Sequence, residues 1–357
     1  MLFKPTVMQI KGVDGALYTL TDESFSGPAI LLRDGAKGLD APTFDVKADQ
    51  YAAIDGGFVR SARADIREMF LPVTIVADSR HEMMALKRRF IASLNPKKGL
   101  VQLQSTEFSI PAHFEGEPTS NDLVAESTRA ITCYYAGGME GGEGAENGIH
   151  FATYGLILRA PTPYFQNLAR TTQTFQTFEV VEPFIEPSAT FLSTDGLTLA
   201  LSLALSSDPI WANAVNLTNP GDVDAQPRWE IRGPLSARFS IVLKDAEGEV
   251  AKELRFAEAF EVTQYQVLVV ETTKGRQSIR LYDQIPANGG YDPTDGKSMW
   301  WAFDVTSDMW AIEPGDVNAV AMQIDKAESL SPEEETAWNA ANQPNVTVSF
   351  LPSYLGI

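Results

Sequence analysis

Arg67-Glu-Met-Phe-Leu-Pro-Val-Thr-Ile75 is followed by Ser79-Arg-His-Glu-Met-Met-Ala-Leu-Lys-Arg-Arg-Phe-Ile-Ala-Ser-Leu94, and then by Asn95-Pro-Lys-Lys-Gly-Leu-Val-Gln-Leu-Gln104. This stretch decides how the first half of the chain is read. Phe70 to Ala77 is apolar and β-branched, which predicts a strand. Ser79 is a candidate N-cap, with Glu82 three residues later in capping-box position. Met83, Leu86, Phe90 and Leu94 then recur at helical spacing, the stripe of a helix packed on a sheet. Lys87, Arg88 and Arg89 occupy the helix's second half, where its dipole favours cations. Asn95-Pro96 ends the helix, because proline disfavours helical backbone in the residue before it. Leu100 to Gln104 resumes as a strand.

Working outward from this segment, nearly everything else reads as β. Val13-Asp-Gly-Ala-Leu-Tyr-Thr-Leu20 has the Asp-Gly turn of a hairpin followed by alternation. Phe108 to Phe114, Ala130 to Tyr135 and Phe151 to Leu158 are further predicted strands. Arg159-Ala-Pro-Thr-Pro-Tyr-Phe165 carries two stiffening prolines and reads as a domain exit. Beyond it, Leu197, Leu199, Leu201, Leu203 and Leu205 alternate strictly. Arg228–Arg232, Phe239–Leu243, Gln266–Glu271, Ser278–Tyr282, Ala319–Ile324 and Val346–Phe350 predict more strands. One late helix interrupts them. Ser331 is its cap, Pro332 its first residue and Glu333-Glu-Glu335 its first turn, and Gln343-Pro344 stops it. The expected fold is mainly β: an N-terminal β-sandwich or split-barrel-like domain with one helix over 1–165, and a C-terminal β-sandwich over 166–357.

The chain's 357 residues are too many for one core, which rarely grows past roughly 250–300 residues. At 44% hydrophobic and 21% charged, the composition is that of a globular protein. A net charge of −19 argues against nucleic-acid binding, which needs clustered cations to displace counterions from phosphates. The densest basic stretch, Lys87-Arg88-Arg89 with Lys97-Lys98, reads as the solvated side of the predicted helix and its exit turn. Cys133 is alone, so no disulfide can close within the chain, and in an apolar strand it reads as a small buried hydrophobe. Lys4, Pro5 and Lys11 precede any long apolar block, so no export signal is expected. No run approaches the roughly 18–20 apolar residues of a membrane helix, so no membrane insertion is expected.

The chemistry-bearing residues do not converge. His81, His113 and His150 show no metal-site spacing, and the sequence has no nucleophile elbow or dinucleotide fingerprint. Gly137 to Gly148 is glycine-rich like a phosphate loop, but it carries three glutamates and no Lys, Ser or Thr, so it reads as an acidic hairpin loop. Asp292-Pro-Thr-Asp-Gly296 lacks the further ligands of a calcium loop and reads as a turn. No catalytic residue, metal or cofactor is assigned, and the expectation is no enzyme. Trp300, Trp301 and Trp310 are the candidate site residues, either as core and interface or as a carbohydrate-stacking surface. Read as a strand, Met299-Trp-Trp-Ala-Phe303 sends Trp300 and Trp301 to opposite faces, so only one can enter the core.

In their order along the chain these segments resemble the distal tail proteins of long, flexible-tailed phages. Gly12 to Leu20 looks like that family's first hairpin. Arg67 to Ile75, the helix and Asn95-Pro-Lys-Lys-Gly99 are similar to its N-terminal domain, and Ala160-Pro-Thr-Pro-Tyr-Phe165 to its domain exit. Asn219-Pro-Gly-Asp-Val-Asp-Ala-Gln-Pro-Arg-Trp-Glu-Ile-Arg-Gly-Pro234 resembles the start of its C-terminal sandwich, and Trp310-Ala-Ile-Glu-Pro-Gly-Asp-Val-Asn318 that domain's late turn. The acidic loop, residues 181–211 and the helix at 331–343 depart from the family's minimal version. The resemblance implies an N-terminal domain that assembles into a homo-hexameric ring and a galectin-like C-terminal sandwich. The implied partners are the tail tube protein above and the tail-tip hub or baseplate protein below. DNA passes through the ring, and an acidic lumen would not trap it. The acidic loop and the N-terminal arm Met1 to Gln9 are expected at subunit contacts. The implied place is the virion tail tip, after assembly in the host cytoplasm. A phage and a phage-like particle such as a gene transfer agent fit equally, and a carbohydrate-binding tail adhesin is the alternative function.

Overall fold

The computed structural model describes residues 6–21, 27–50, 55–109, 124–141, 150–176, 215–245, 248–257, 259–285, 289–315, 317–325 and 330–357. Among the predicted features, His113, the residues after 109 in the strand toward Phe114, the Leu197–Leu205 alternation, most of the acidic loop and residues 1–5 of the N-terminal arm lie outside these residues.

The chain divides into two compact units. One is formed by 1–169 together with 352–357, and the other by 170–351. The strands are β1 (Thr6–Lys11), β2 (Leu17–Thr19), β3 (Ala29–Leu32), β4 (Phe44–Asp49), β5 (Phe58–Ala64), β6 (Arg67–Val76), β7 (Val101–Ser109), β8 (Val124–Gly137), β9 (Phe151–Ala160) and β10 (Phe165–Asn167). The second unit holds β11 (Thr171–Gln176), β12 (Val215–Thr218), β13 (Arg228–Arg232), β14 (Phe239–Lys244), β15 (Val250–Arg255), β16 (Gln266–Glu271), β17 (Ser278–Asp283), β18 (Lys297–Ser298), β19 (Val317–Ile324) and β20 (Asn345–Phe350). A last short strand, β21 (Ser353–Tyr354), returns to the first unit. The helices are α1 (Arg80–Ser93) and α2 (Pro332–Ala341).

In the first unit the sheet order is β2-β1-β7-β8-β9-β6-β3. The two ends of this order meet, because the amide of Leu32 in β3 donates to the carbonyl of Leu20 just past β2 at 2.7 Å. The sheet therefore curls nearly into a barrel, which leaves few unpaired edges. Alternation supplies the interior. In β6, Arg67, Met69, Leu71, Val73 and Ile75 are buried while Glu68 and Phe70 are exposed. Met83 and Phe90 of α1 are fully buried in the same core, and Phe90 meets Tyr18 edge-on at 4.9 Å. The Ser79 hydroxyl accepts from the Glu82 amide at 3.3 Å, so the predicted cap is made. The predicted first hairpin also forms. Its turn is closed by Gly12 N–H to Ala16 at 2.8 Å, with Gly15 at φ +82°, a conformation that favours glycine.

The second unit is a β-sandwich. One sheet is ordered β11-β20-β13-β16-β17-β18 and the other β12-β19-β14-β15, all antiparallel. Between them lies a core that includes Trp229, Ile231, Ile241, Phe256, Val270 and Val348, each fully buried. The two segments singled out at the start and end of this domain meet in space. The Asn219 side-chain amide donates to the carbonyls of Val223 (3.0 Å) and Ile312 (3.1 Å), and its oxygen accepts from Gly221 N–H (3.0 Å). Trp229 and Trp310 pack edge-to-face at 5.6 Å. The capping box of α2 is complete in both directions between Ser331 and Glu334.

Candidate functional site

The three tryptophans part company. Trp310 is 4% exposed and belongs to the sandwich core. Trp300 and Trp301 are both outside it, 42% and 59% exposed. The alternation expected for 299–303 does not occur, because strand pairing stops at Ser298 and Trp300–Ala302 form a 3₁₀ turn. With three residues per turn instead of two, the buried positions become Met299 and Ala302, and the two indoles between them turn outward. Each is braced from beneath, Trp300 edge-on against Phe303 at 5.6 Å and Trp301 edge-on against Phe260 at 6.2 Å. The result is a pair of supported, half-exposed indoles.

Residues 289–297, which lead into β18, lie on the outer face of the six-stranded sheet. In β13 Trp229 and Ile231 point inward, so Arg228, Glu230 and Arg232 point out. Glu230 lies 3.2 Å from Arg228 and 3.7 Å from Arg232, and Glu271 lies 3.9 Å from Arg228. Tyr291 closes the network. Its hydroxyl donates to Glu230 at 3.0 Å and accepts from Arg228, while its ring lies 4.6 Å from that of Tyr282. Arg232 holds the carbonyl of Gly289 at 2.7 Å and Arg280 that of Gly296 at 3.0 Å. Gly296 has to be glycine, since a Cβ there would stand 2.4 Å from the Tyr282 ring. Burial, reinforced by Glu230 and opposed by Arg228, pushes the Tyr291 phenol up to about 12. These bonds are the chemistry of a clasp holding a strap in place, with Arg228 Nε the one atom of the group left buried without a partner among the described residues.

In the first unit, β4 and β5 pair only with each other. The register places Phe44 opposite Ala64, Val46 opposite Ala62 and Ala48 opposite Val59, so these six side chains share one face. Phe44, Val46 and Val59 are 47%, 52% and 68% exposed. The other face carries the Arg63–Asp45 ion pair at 3.1 Å. A lone two-stranded ribbon is marginal in water, and one with an apolar face seeks a partner surface. The sequence reading missed this ribbon, although its signal was present: Phe44 and Val46 alternate with Asp45 and Lys47.

Among the described residues, no cluster of His, Cys, Asp and Glu is arranged to hold a metal ion. His81 is exposed in the first turn of α1 and His150 is exposed beside β9. The Asp292 carboxylate accepts from the Thr294 amide (2.8 Å) and hydroxyl (2.6 Å), which makes 292–296 a side-chain-closed turn. No described helix is long and apolar enough to cross a membrane.

No family model matches the sequence, and no curated protein matches it. Solved structures do. The SPP1 Dit protein (gp 19.1), described as a paradigm of the hub adsorption apparatus in phages infecting Gram-positive bacteria, aligns at 15% identity with a TM-score of 0.54. The alignment covers 98% of this chain and 99% of that one. A chain of the phage P2 baseplate, in its activated conformation with Ca, aligns at 12% identity over 98% of each chain, with a looser TM-score of 0.43. The chain thus has, over nearly its whole length, the fold of the SPP1 Dit protein.

Proposed function

We propose that the chain is a distal tail protein: a non-enzymatic structural component of a phage or phage-like tail tip. Six copies close a ring through their first units. The ring joins the tail tube protein to the tail-tip hub or baseplate protein and lets DNA through its centre. The second unit is the galectin-like sandwich of the family. The protein reaches the virion after assembly in the host cytoplasm, and a gene transfer agent is as suitable a particle as a phage.

The observation that carries this reading is the β4–β5 ribbon, on a fold shared from end to end with SPP1 Dit. A lone chain has no reason to project an apolar strip of Phe44, Val46 and Val59 into water. A neighbouring copy covers that strip, and a chain that grips its neighbour in this way forms the head-to-tail contact that closes rings. The test is mass photometry and negative-stain imaging of the purified full chain. A sixfold annulus, lost in the Val46→Glu/Val59→Glu variant whose far-UV spectrum is unchanged, is the expected result. A chain that stays monomeric at every concentration and inside isolated particles overturns the reading.

A second reading is favoured by one observation. Trp300 and Trp301 are both exposed and both braced, the form of an aromatic platform that stacks on sugar rings. On that reading the second unit is a carbohydrate-binding adhesin. Glycan-array binding that disappears in both Trp300→Ala and Trp301→Ala supports it, and an array with no signal for the wild type removes it.

A further inference from the structure

The outward side of α1 carries an unusual charge. Residues 80–98 hold six cations, Arg80, Lys87, Arg88, Arg89, Lys97 and Lys98, against one carboxylate, Glu82. Their net is +5, so the other 338 residues carry −24 to make the chain's −19. Met83, Phe90 and Leu94 hold the opposite side of this helix and its C-cap in the core, so its orientation is set. Arg88, Arg89, Lys97 and Lys98 are exposed. The turn that carries the lysines is itself fixed. Asn95 accepts through its side chain from Lys97 N–H and through its carbonyl from Lys98 N–H, each at 3.0 Å. Among the described residues, none of these four cations stands within ion-pair distance of a carboxylate. In a chain with 47 acidic residues, four neighbouring cations left unpaired mark a surface that an external anion can reach.

We infer that the basic side of α1, centred on Arg88, Arg89, Lys97 and Lys98, docks on an acidic surface of a second copy of this chain. The inference rests on the ring reading and adds the electrostatic half of the subunit contact. Copies carrying −19 each repel one another, and assembly needs an attractive pairing to offset this. Symmetry then selects the partner surface. A two-fold contact whose axis passed through the patch would set it against itself and press cation on cation. In a head-to-tail contact the patch meets a different surface of the next copy, and outside residues 80–98 that copy carries a net −24. The basic patch therefore attracts a different surface of a neighbour and opposes a two-fold dimer centred on itself.

The experiment follows assembly of the full chain by mass photometry and sedimentation velocity over protein concentration and salt. For the wild type, the half-assembly concentration is expected to rise about tenfold between about 50 and about 500 mM NaCl, as screening shortens to a few ångström. Arg88→Glu/Arg89→Glu is expected to raise it roughly tenfold at low salt and to flatten the salt dependence. Arg88→Lys/Arg89→Lys, which keeps the charge, is expected to stay within about twofold of the wild type. Lys97→Glu/Lys98→Glu lies outside the helix, so it repeats the test should the helix variant fail to fold.

Charge-reversed chains that assemble at the wild-type concentration with the wild-type salt dependence overturn the inference and leave the ring reading standing. A wild type that never assembles overturns both. A labelled DNA duplex supplies the remaining arm. If the wild type binds it and Arg88→Glu/Arg89→Glu abolishes that binding with assembly unchanged, the patch is a nucleic-acid surface and the inference falls.

Discussion

The guanidinium of Arg129 lies 4.1 Å from the ring centroid of Tyr354, a residue more than two hundred positions later in the chain. Arg129 also donates to the carbonyl of Gly356 at 3.2 Å, and Arg67 donates to the carbonyl of Leu355. With β21 paired to β10, these bonds tie residues 352–357 into the first unit. The second unit is thus an insertion between β10 and β21, and the first unit is complete only when the chain has passed through the second and come back. Arg67 is 2% exposed, and that burial lowers its pKa, partly offset by Asp40. Arg67→Ala removes the guanidinium's hydrogen bonds to the Leu39 and Leu355 carbonyls, leaving Leu39 with the Ile357 amide, and opens a space beside Phe165. A loss of about 2–4 kcal/mol is expected by urea unfolding, confined to the first unit's transition. A chain shortened to end at Leu351 should lose stability in the same transition and leave the second unit's unchanged.

Asn219 is fully buried and its side chain makes three hydrogen bonds, two that close its own turn through Gly221 and Val223 and one that ties the turn to Ile312 in the segment after Trp310. Asn219→Ala takes their side-chain partner from the Val223 carbonyl and the Gly221 amide and leaves the Ile312 carbonyl with the Ala225 amide as its donor, at a cost of about 2–4 kcal/mol. Asn219→Asp should be as harmful, since it sets an acceptor against the carbonyls of Val223 and Ile312. Thermal unfolding of both variants beside the wild type checks this. An unchanged midpoint would refute the role assigned to Asn219.

Tyr291 makes the strap sensitive to alkali. Burial first, then Glu230, raises its phenol to about 12 in the folded chain, against about 10 for a free tyrosine. The folded state therefore holds this proton more tightly than the unfolded state. The stability it contributes is whole below about pH 10 and is lost as pH rises toward 12. Ultraviolet titration should show a late phenol ionisation toward pH 12 that Tyr291→Phe removes. The same variant leaves Glu230 without the phenol's hydrogen bond and should cost about 1 kcal/mol at neutral pH.

Cys133 is fully buried, and burial raises its thiol to about 12, opposed by a bond with the Leu103 backbone. Its thiolate is scarce near pH 8, so a disulfide reagent should label the folded chain only as fast as the first unit opens. One thiol per chain should appear at once in urea. Rapid native labelling would mean that β7 and β8 part far more readily than their register implies.

Much of this protein was determined by local order in its sequence. The 3.6-residue stripe of α1 and its Ser79 cap, the complete cap of α2, the Gly12–Leu20 hairpin and the alternation of β6 and β13 all follow from interactions between residues near in sequence, which spacing encodes directly. The mainly β architecture followed from counting such segments, and the buried, inert character of Cys133 from its apolar strand. What tertiary structure alone decided depends on residues far apart. Met299-Trp-Trp-Ala-Phe303 carries the pattern of a strand, but the edge strand β18 offers it no pairing beyond Ser298, so it turns and exposes both indoles. Arg228, Glu230 and Arg232 look in sequence like any solvated strand face, until a strap dozens of residues later brings Tyr291 onto them. Nothing near Arg67 or Arg129 shows that their partners are the carbonyls of Leu355 and Gly356. Spacing reports which face a side chain takes on its own element, whereas the identity of what covers that face is a property of chain topology.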